Sequence, residues 1–322
     1  MCKTTWYYLI FVVCLTIFSY PSYQNAEILS IIKKNQTKKH SNRILEDDMI
    51  LTEYDINLLF NKTKNSQNLK TTLSQDKNAI TFFTALAPNN PKRWTKYFEN
   101  GSYYIPYIFD TTIDVPEKNL ILKSMKNIAS HTCVKFRERT KENNYLNIQS
   151  TPSQGCFSYV GMRGGKQPVE LGTEETTTCF SKRIVTHELL HAVGLYHEHM
   201  RIDRDDYVTI HRENVQEGTE VQFEKVMGTG VSTYNIPYDY LSIMHYGKHF
   251  FAKNNTLVTI EPKDKRFIDV IGSLEAPSSS DWLKVCEMYQ CEVCNNASYK
   301  IFNMLPYIIN YVFLFFLKRI FY

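Results

Sequence analysis

Three histidines and one glutamate lie within the eleven residues from His187 to His197. Residues four apart on a helix lie one turn above each other, so His187 and His191 project their rings toward a common point. Glu188 lies about 100° around the same helix from His187, where it can reach a water on a shared metal ion without being a ligand. The spacing therefore predicts a helix that presents two metal ligands and one general base.

The third histidine, His197, can reach the same ion only if the chain turns after His191. A continued helix would place His197 about 240° around the axis, away from the metal. Gly194 lies between them, and glycine adopts the left-handed conformation that ends helices without a Cβ penalty. Three neutral imidazoles suit a zinc ion with an open position, where a water has a pKa of about 7 and Glu188 can take its proton. This chemistry suits peptide hydrolysis.

A second motif lies about fifty residues downstream, where Met244 and Tyr246 belong to the polar segment 242–246. A histidine pattern of this spacing followed by a methionine turn is typical of metzincin proteases. The segments 197–207 and 242–246 closely resemble the astacin family of zinc endopeptidases. The similarity covers about residues 94–291, and both motifs are highly specific to that family.

The resemblance implies a role for each motif residue. The zinc ligands that it implies are His187, His191 and His197. Glu188 would be the general base, Met244 would form an apolar floor beneath the zinc, and Tyr246 would be a further ligand that swings away to hydrogen-bond the transition-state oxyanion. Without the histidine motif, Met244 would be an ordinary core methionine and Tyr246 a buried aromatic. Because these ligands and a water fill the coordination sphere, we expect four other histidines to be structural or exposed: His199, His211, His245 and His249.

The expected fold class is α+β. Aromatic and β-branched residues favour strands, and the segments 102–109, 133–137 and 145–149 are predicted to be short strands. The resemblance implies a metzincin-like catalytic domain over residues 85–294, with a twisted mixed sheet, the active-site helix over a cleft and a largely irregular C-terminal half. It also implies an edge strand over the cleft within 157–171, to which an extended peptide can add by backbone hydrogen bonds; a surface hairpin without a ligand is the alternative. Pro168 would be tolerated on such an edge.

Two segments precede the catalytic domain. Residues 1–26 are predicted to be a signal peptide, because Lys3 is followed by an apolar stretch that is short for a membrane span; an uncleaved anchor is the alternative.

Residues 27–84 are polar and form either a solvated linker or, by the resemblance, a propeptide. The segment 51–56 is similar to the part of astacin propeptides in which an aspartate caps the zinc, and Asp55 is the matching residue. Family positions usually occupied by phenylalanine and glycine carry threonine and tyrosine here.

Cysteine usage indicates an oxidising compartment. Six cysteines lie outside the expected signal peptide: Cys133, Cys156, Cys179, Cys286, Cys291 and Cys294. The resemblance implies a disulfide between Cys156 and Cys179. It also implies one between Cys133 and a cysteine near the domain end, which is Cys291 or, in its place, Cys294. The remaining two cysteines depart from the two-bridge pattern and can pair together. Five N-glycosylation sequons are compatible with export.

The formal net charge is only +4, and basic residues do not alternate with aromatics in the catalytic region, so no nucleic-acid partner is expected. The tail, residues 295–322, contains an apolar run at 301–317 followed by Lys318 and Arg319. This run is at the lower limit for a membrane span. It is a membrane anchor, a cleaved lipid-anchor signal or a non-native tail. We expect a monomer, either secreted or tethered to the cell surface.

The site of activation can also be predicted. Astacins resemble one another in burying the mature N-terminus near the glutamate that follows the third histidine, here Glu198. Matching Trp94 to the tryptophan near the start of the family's catalytic domain places that terminus near Ala85. The basic pair Lys92 and Arg93 lies too far along the chain. Cleavage after Arg93 would remove a segment that spans up to about 30 Å, and the new terminal amine could then not reach Glu198.

The sequence therefore predicts a zinc-dependent endopeptidase with one zinc ion per chain, acting on protein or peptide bonds through a water activated by Glu188. The alternative is a catalytically inactive, membrane-displayed binding module with a structural zinc. A structural zinc needs no general base, so the retention of Glu188 favours the enzyme.

Overall fold

The computed structural model of the chain describes residues 49–50, 84–152, 155–173, 178–228 and 230–295. Its α-helices are α1 (Val115–His131), α2 (Lys182–Val193) and α3 (Ser279–Tyr289). Its strands are β1 (Met49–Ile50), β2 (Ala85–Leu86), β3 (Phe98–Glu99), β4 (Ser102–Phe109), β5 (Val134–Glu138), β6 (Tyr145–Gln149), β7 (Cys156–Tyr159), β8 (Lys166–Leu171), β9 (Val208–Ile210), β10 (Val231–Ser232) and β11 (Ile260–Pro262). The expected α+β class is confirmed.

The main sheet is mixed, as predicted. Its strand order is β1-β7-β8-β6-β4-β3, and β5 also pairs with β4. Strand β4 runs parallel to β5 and β6, and β6 runs parallel to β8, whereas β3 and β7 are antiparallel to their neighbours β4 and β8. The three predicted short strands correspond to β4, β5 and β6, with β5 shifted by one residue.

The segment 157–171 differs from the expectation of a single edge strand. It forms a hairpin in which β8 lies between β6 and β7, and β7 lies between β8 and the edge strand β1. Gly164 and Gly165 adopt positive φ between the two strands and allow the chain to reverse. Pro168 therefore lies on an inner strand opposite Asn147. It is one residue beyond Val169 and Ser158, the last register pair of β7 and β8. The missing N–H of the proline therefore costs no hydrogen bond to β7.

Helix α2 lies against α1 and against the hairpin strands β7 and β8. It is buried from Val185 to its C-terminal end, with Leu189, Leu190 and Val193 fully excluded from solvent. The backbone N–H of Gly161, just after β7, donates to the carbonyl of His191 at 2.9 Å. The helix that carries the histidines is thereby held beside β7.

The half of the domain that follows α2 is largely irregular, as predicted. It consists mainly of short 3-10 turns, the two-stranded pairs β10-β2 and β11-β9, and helix α3. Disulfides join Cys133 to Cys291 and Cys156 to Cys179. A third joins Cys286 to Cys294, so Cys291 rather than Cys294 is the partner of Cys133. The end of α3 is therefore tied to the start of β5.

The predicted signal peptide, most of the predicted propeptide with Asp55, and the apolar tail run lie outside the described residues. Within the part of the chain that is described, the helices are too short or too polar to cross a membrane.

Candidate metal centre

Helix α2 brings the first two histidines together. Ser181 caps the helix, its hydroxyl accepting the N–H of Ile184 at 3.1 Å, so the register of the helix is set from its first turn. The ring centroids of His187 and His191 are 4.6 Å apart. Glu188 follows His187 directly and is 1% exposed. The one-turn relation predicted from the spacing is present.

Gly194 ends the helix and turns the chain. Its φ is 134°, and its N–H donates to the carbonyl of Leu190 at 3.0 Å. A Cβ at this position would lie 2.8 Å from Met288 Sδ and 2.9 Å from Leu86 Cδ1. The positive φ and the tight packing both require glycine here. This turn directs the following segment, with His197, back toward the helix.

The third histidine closes the group. His197 Nε2 lies 3.1 Å from His191 Nε2, and ligand nitrogens of all three histidines lie within 4.8 Å of one another. Zinc–nitrogen bonds of about 2.0–2.1 Å in tetrahedral geometry place two such nitrogens about 3.3 Å apart. The His191–His197 separation is close to this value, so three buried imidazoles that converge in this way fit a zinc ion.

Backbone carbonyls orient two of the rings. His187 Nδ1 donates to the carbonyl of Ile243 at 2.9 Å, and His191 Nδ1 donates to that of Leu195 at 2.7 Å. Because a carbonyl only accepts, the proton of each ring is on Nδ1, and Nε2 keeps its lone pair for a metal. Each of these two rings is thereby held in the tautomer that a zinc ligand requires.

The methionine turn lies directly beside the three histidines. Tyr246 is 2% exposed, and its ring centroid is 4.3 Å from that of His197 and 4.2 Å from that of Phe250. Met244 is 1% exposed, and its carbonyl accepts the N–H of Glu198 at 3.0 Å. The structure thus brings the residues predicted from the two distant motifs into one site.

A buried cluster of charges lies behind His197. Glu198 is fully buried, and its Oε2 lies 2.5 Å from the Nζ of Lys284. Its Oε1 accepts the N–H of Asp239 at 3.0 Å and lies 3.3 Å from the Nη1 of Arg201. Burial tends to raise the pKa of Glu198, but the charges of Lys284 and Arg201 outweigh it and lower that pKa below its ordinary value. Glu198 is therefore held as a carboxylate.

Helix α3 supplies the part of this cluster that sequence reasoning missed. Asp281 accepts the hydroxyl of Ser242 at 2.6 Å and the N–H of Ile243 at 3.0 Å. Burial, followed by the charge of Asp281, raises the pKa of the nearby Asp239 to about 6. The capping box of Ser278 and Asp281 at the start of α3 is a pattern that could have predicted the helix, but not its partners.

The four histidines predicted not to be ligands contact other protein groups instead. His199 Nε2 lies 2.9 Å from the carbonyl of Gln222. His245 contacts the carbonyl of Tyr246 through Nδ1 and the hydroxyl of Tyr238 through Nε2. His211 and His249 likewise contact Glu261 and the carbonyl of Leu257.

The fold and the site together define a metzincin-type protein. A mixed sheet lies beside a helix that carries two histidines and a glutamate, and a third histidine and a methionine turn complete the site. The chain belongs to the astacin family, because the model of the peptidase family described as Astacin matches residues 89–290.

Individual relatives agree with this family. The chain is 37% identical over 220 residues to zinc metalloproteinase nas-5 from Caenorhabditis elegans, a match that covers 68% of this chain and 61% of the relative. It is 38% identical to zinc metalloproteinase nas-6 of the same organism, covering 58% of this chain and 53% of the relative. The chain thus spans less than two thirds of these relatives. Among solved structures, it is similar to high choriolytic enzyme 1, a hatching enzyme zinc-protease from the medaka fish Oryzias latipes, with 33% identity and a TM-score of 0.56, covering 62% of this chain and 95% of that one.

Proposed function

We propose that this chain is a secreted zinc endopeptidase that hydrolyses protein or peptide bonds. The observation that carries the proposal is the convergence of the three histidine rings beside the buried carboxylate of Glu188. Secretion is supported by three disulfides, since disulfides persist in oxidising compartments. Recovery of the chain only from the reduced cell interior would contradict secretion.

Each site residue has a proposed task. Zinc held by His187, His191 and His197 would supply a Lewis acid and lower the pKa of a water to about 7. Glu188 takes the proton of the attacking water and passes it to the leaving amine. The hydroxyl of Tyr246 donates to the oxyanion that develops on the substrate carbonyl.

The outer edge of β7 is the proposed binding line for an extended substrate. In the uncleaved chain, β1 occupies this edge: Met49 pairs in parallel with Ser158, and Ile50 with Tyr159. Met49 is 3% exposed. A peptide cannot add to an edge that already has a neighbour. We therefore propose that residues 27–84 are an inhibitory propeptide, with Asp55 following β1 as the candidate zinc-capping residue.

Replacing Asp55 by alanine in the uncleaved chain is expected to raise its basal peptidase activity by roughly tenfold or more, because a carboxylate on the open zinc position blocks both water and substrate. The measurement is cleavage of a quenched fluorescent peptide before any processing. Glu53→Ala is the matched control and should leave the activity low. Equal activities of the two variants would remove Asp55 from this role.

The proposed function is tested by removing and restoring the metal. The processed protein should lose peptidase activity in a zinc chelator and regain it when stoichiometric zinc is added, because the three histidines alone supply no nucleophile. Metal analysis should give one zinc per chain. A folded, zinc-loaded protein that cleaves none of a broad peptide library would instead match the inactive binding module.

Replacing Tyr246 by phenylalanine is expected to lower kcat while KM changes little, because the lost hydroxyl acts on the transition state rather than on the bound substrate. The loss corresponds to a few kcal/mol at most, about 10²–10³ in kcat. Steady-state kinetics under conditions where chemistry limits the rate give both constants. Tyr240→Phe is the control, and an unchanged kcat for Tyr246→Phe would make Tyr246 a packing residue.

A further inference from the structure

Lys284 is a buried cation that the proposed mechanism does not use. It lies on α3, and its side chain is 2% exposed. Its Nζ is 2.5 Å from Glu198 Oε2 and 3.8 Å from Asp281 Oδ1. A lysine is almost never fully buried unless it is paired. Its position between two buried carboxylates therefore indicates a defined role.

The contacts of Lys284 lead to the metal centre on two sides. Glu198 directly follows the ligand His197, and its N–H donates to the carbonyl of Met244. On the other side, Asp281 binds the N–H of Ile243, whose carbonyl accepts from His187 Nδ1. Lys284 thus faces two carboxylates. Glu198 adjoins the ligand His197, and Asp281 binds the N–H of the residue whose carbonyl orients His187.

Arg201 is the other cation near Glu198, but it is shared. Its Nε and Nη2 bond both oxygens of Asp203 at 2.8 Å, whereas its Nη1 lies 3.3 Å from Glu198. The shorter contact to Glu198 is that of Lys284. Removing one partner of a buried pair leaves an uncompensated charge, which is far more damaging than removing both. Lys284 is therefore the main counter-ion of Glu198.

We propose that Lys284 is a positioning residue of the metal centre, whose ammonium fixes Glu198 and through it the adjoining ligand His197. This inference rests on the proposed zinc site and deepens it. Because the counter-ion comes from α3, the centre is assembled without an amine released by processing.

The start of the predicted mature chain is consistent with this. In the uncleaved chain, the carbonyl of Thr84 already accepts the N–H of Tyr196 at 2.9 Å, and the N–H of Leu86 donates to the carbonyl of Gly194 at 3.1 Å. The segment that leads into the turn before His197 is therefore in place while Glu198 is bound by Lys284.

The test measures zinc affinity of the full, uncleaved chain by competition with a chelator. Lys284→Met should weaken zinc binding by roughly 10–100-fold, the range for groups that support metal ligands. Lys284→Arg should keep most of the affinity, because it preserves the charge. The double variant Glu198→Gln with Lys284→Met should recover most of the loss, because it leaves no unpaired carboxylate. Lys265→Met, which breaks an exposed ion pair with Glu261, is the control and should change nothing.

Thermal unfolding is followed in parallel. A folded Lys284→Met variant with unchanged zinc affinity would overturn the inference, as would failure of both Lys284→Arg and the double variant to restore binding. Should Lys284→Met not fold, the double variant decides: recovered folding and zinc affinity support the counter-ion role, and continued loss of both overturns it. None of these outcomes depends on turnover, so loss of peptidase activity with intact zinc binding would count against the proposed function alone.

Discussion

Replacing Glu188 with glutamine is expected to lower peptide hydrolysis by about a hundredfold or more while fold and zinc are retained, since general bases contribute about 10²–10⁴ in rate. Glutamine has the same shape but cannot accept the proton of the attacking water. Glu188 is 1% exposed and follows the candidate ligand His187 on α2. Its replacement therefore removes a proton acceptor rather than a ligand.

The measurement combines kcat/KM on a fluorescent peptide with zinc content of the same preparation. His191→Ala is the matched comparison on the same helix and should lose both activity and metal, because His191 is one of the converging imidazoles. A Glu188→Gln variant that contains zinc and turns over at the native rate would contradict the assignment of the base. Loss of zinc from both variants would make Glu188 part of the metal-binding group instead.

The helix of the metal centre could be predicted from sequence because its determinants are local. The spacing of His187 and His191 sets their common direction, and Gly194 sets where the helix ends. His197 follows after a turn of a few residues, so its return to the site needs no long-range information. The three short strands were predictable because each segment contains the aromatic and β-branched residues that are enriched in strands.

The surroundings of the site could not be predicted in this way. Lys284 is 86 residues from Glu198 in sequence, and nothing near either residue indicates that they meet. A buried lysine also runs against the usual preference of that residue for the surface. A surface hairpin at 157–171 was an alternative at the sequence level, but the position of β8 between β6 and β7 could not be predicted, because strand pairing is decided by the whole sheet.

Cleavage of the chain after Arg93 is expected to abolish activity, whereas cleavage close to Ala85 is expected to produce the active enzyme. Ala85 and Leu86 are fully buried and pair with β10. Loss of a buried leucine side chain typically costs about 2–5 kcal/mol, a large part of the about 5–15 kcal/mol that stabilises a typical domain. Leu86 also packs against the turn at Gly194, so its loss would loosen the segment that positions His197.

The basic pair is itself poorly placed for a protease. Lys92 is 7% exposed, and Arg93 donates to the carbonyl of Met288 at 2.5 Å. Trp94 is 1% exposed, and its indole donates to the carbonyl of Ala192 at 2.8 Å.

Two full-length chains with the same engineered protease site, inserted before Ala85 or after Arg93, provide a matched comparison, and N-terminal sequencing identifies the natural terminus. Arg93 and Trp94 both bind the backbone of helices that frame the metal centre, so the bond between them is held within the fold. A fully active form that begins at Trp94 would refute the prediction that activation occurs close to Ala85.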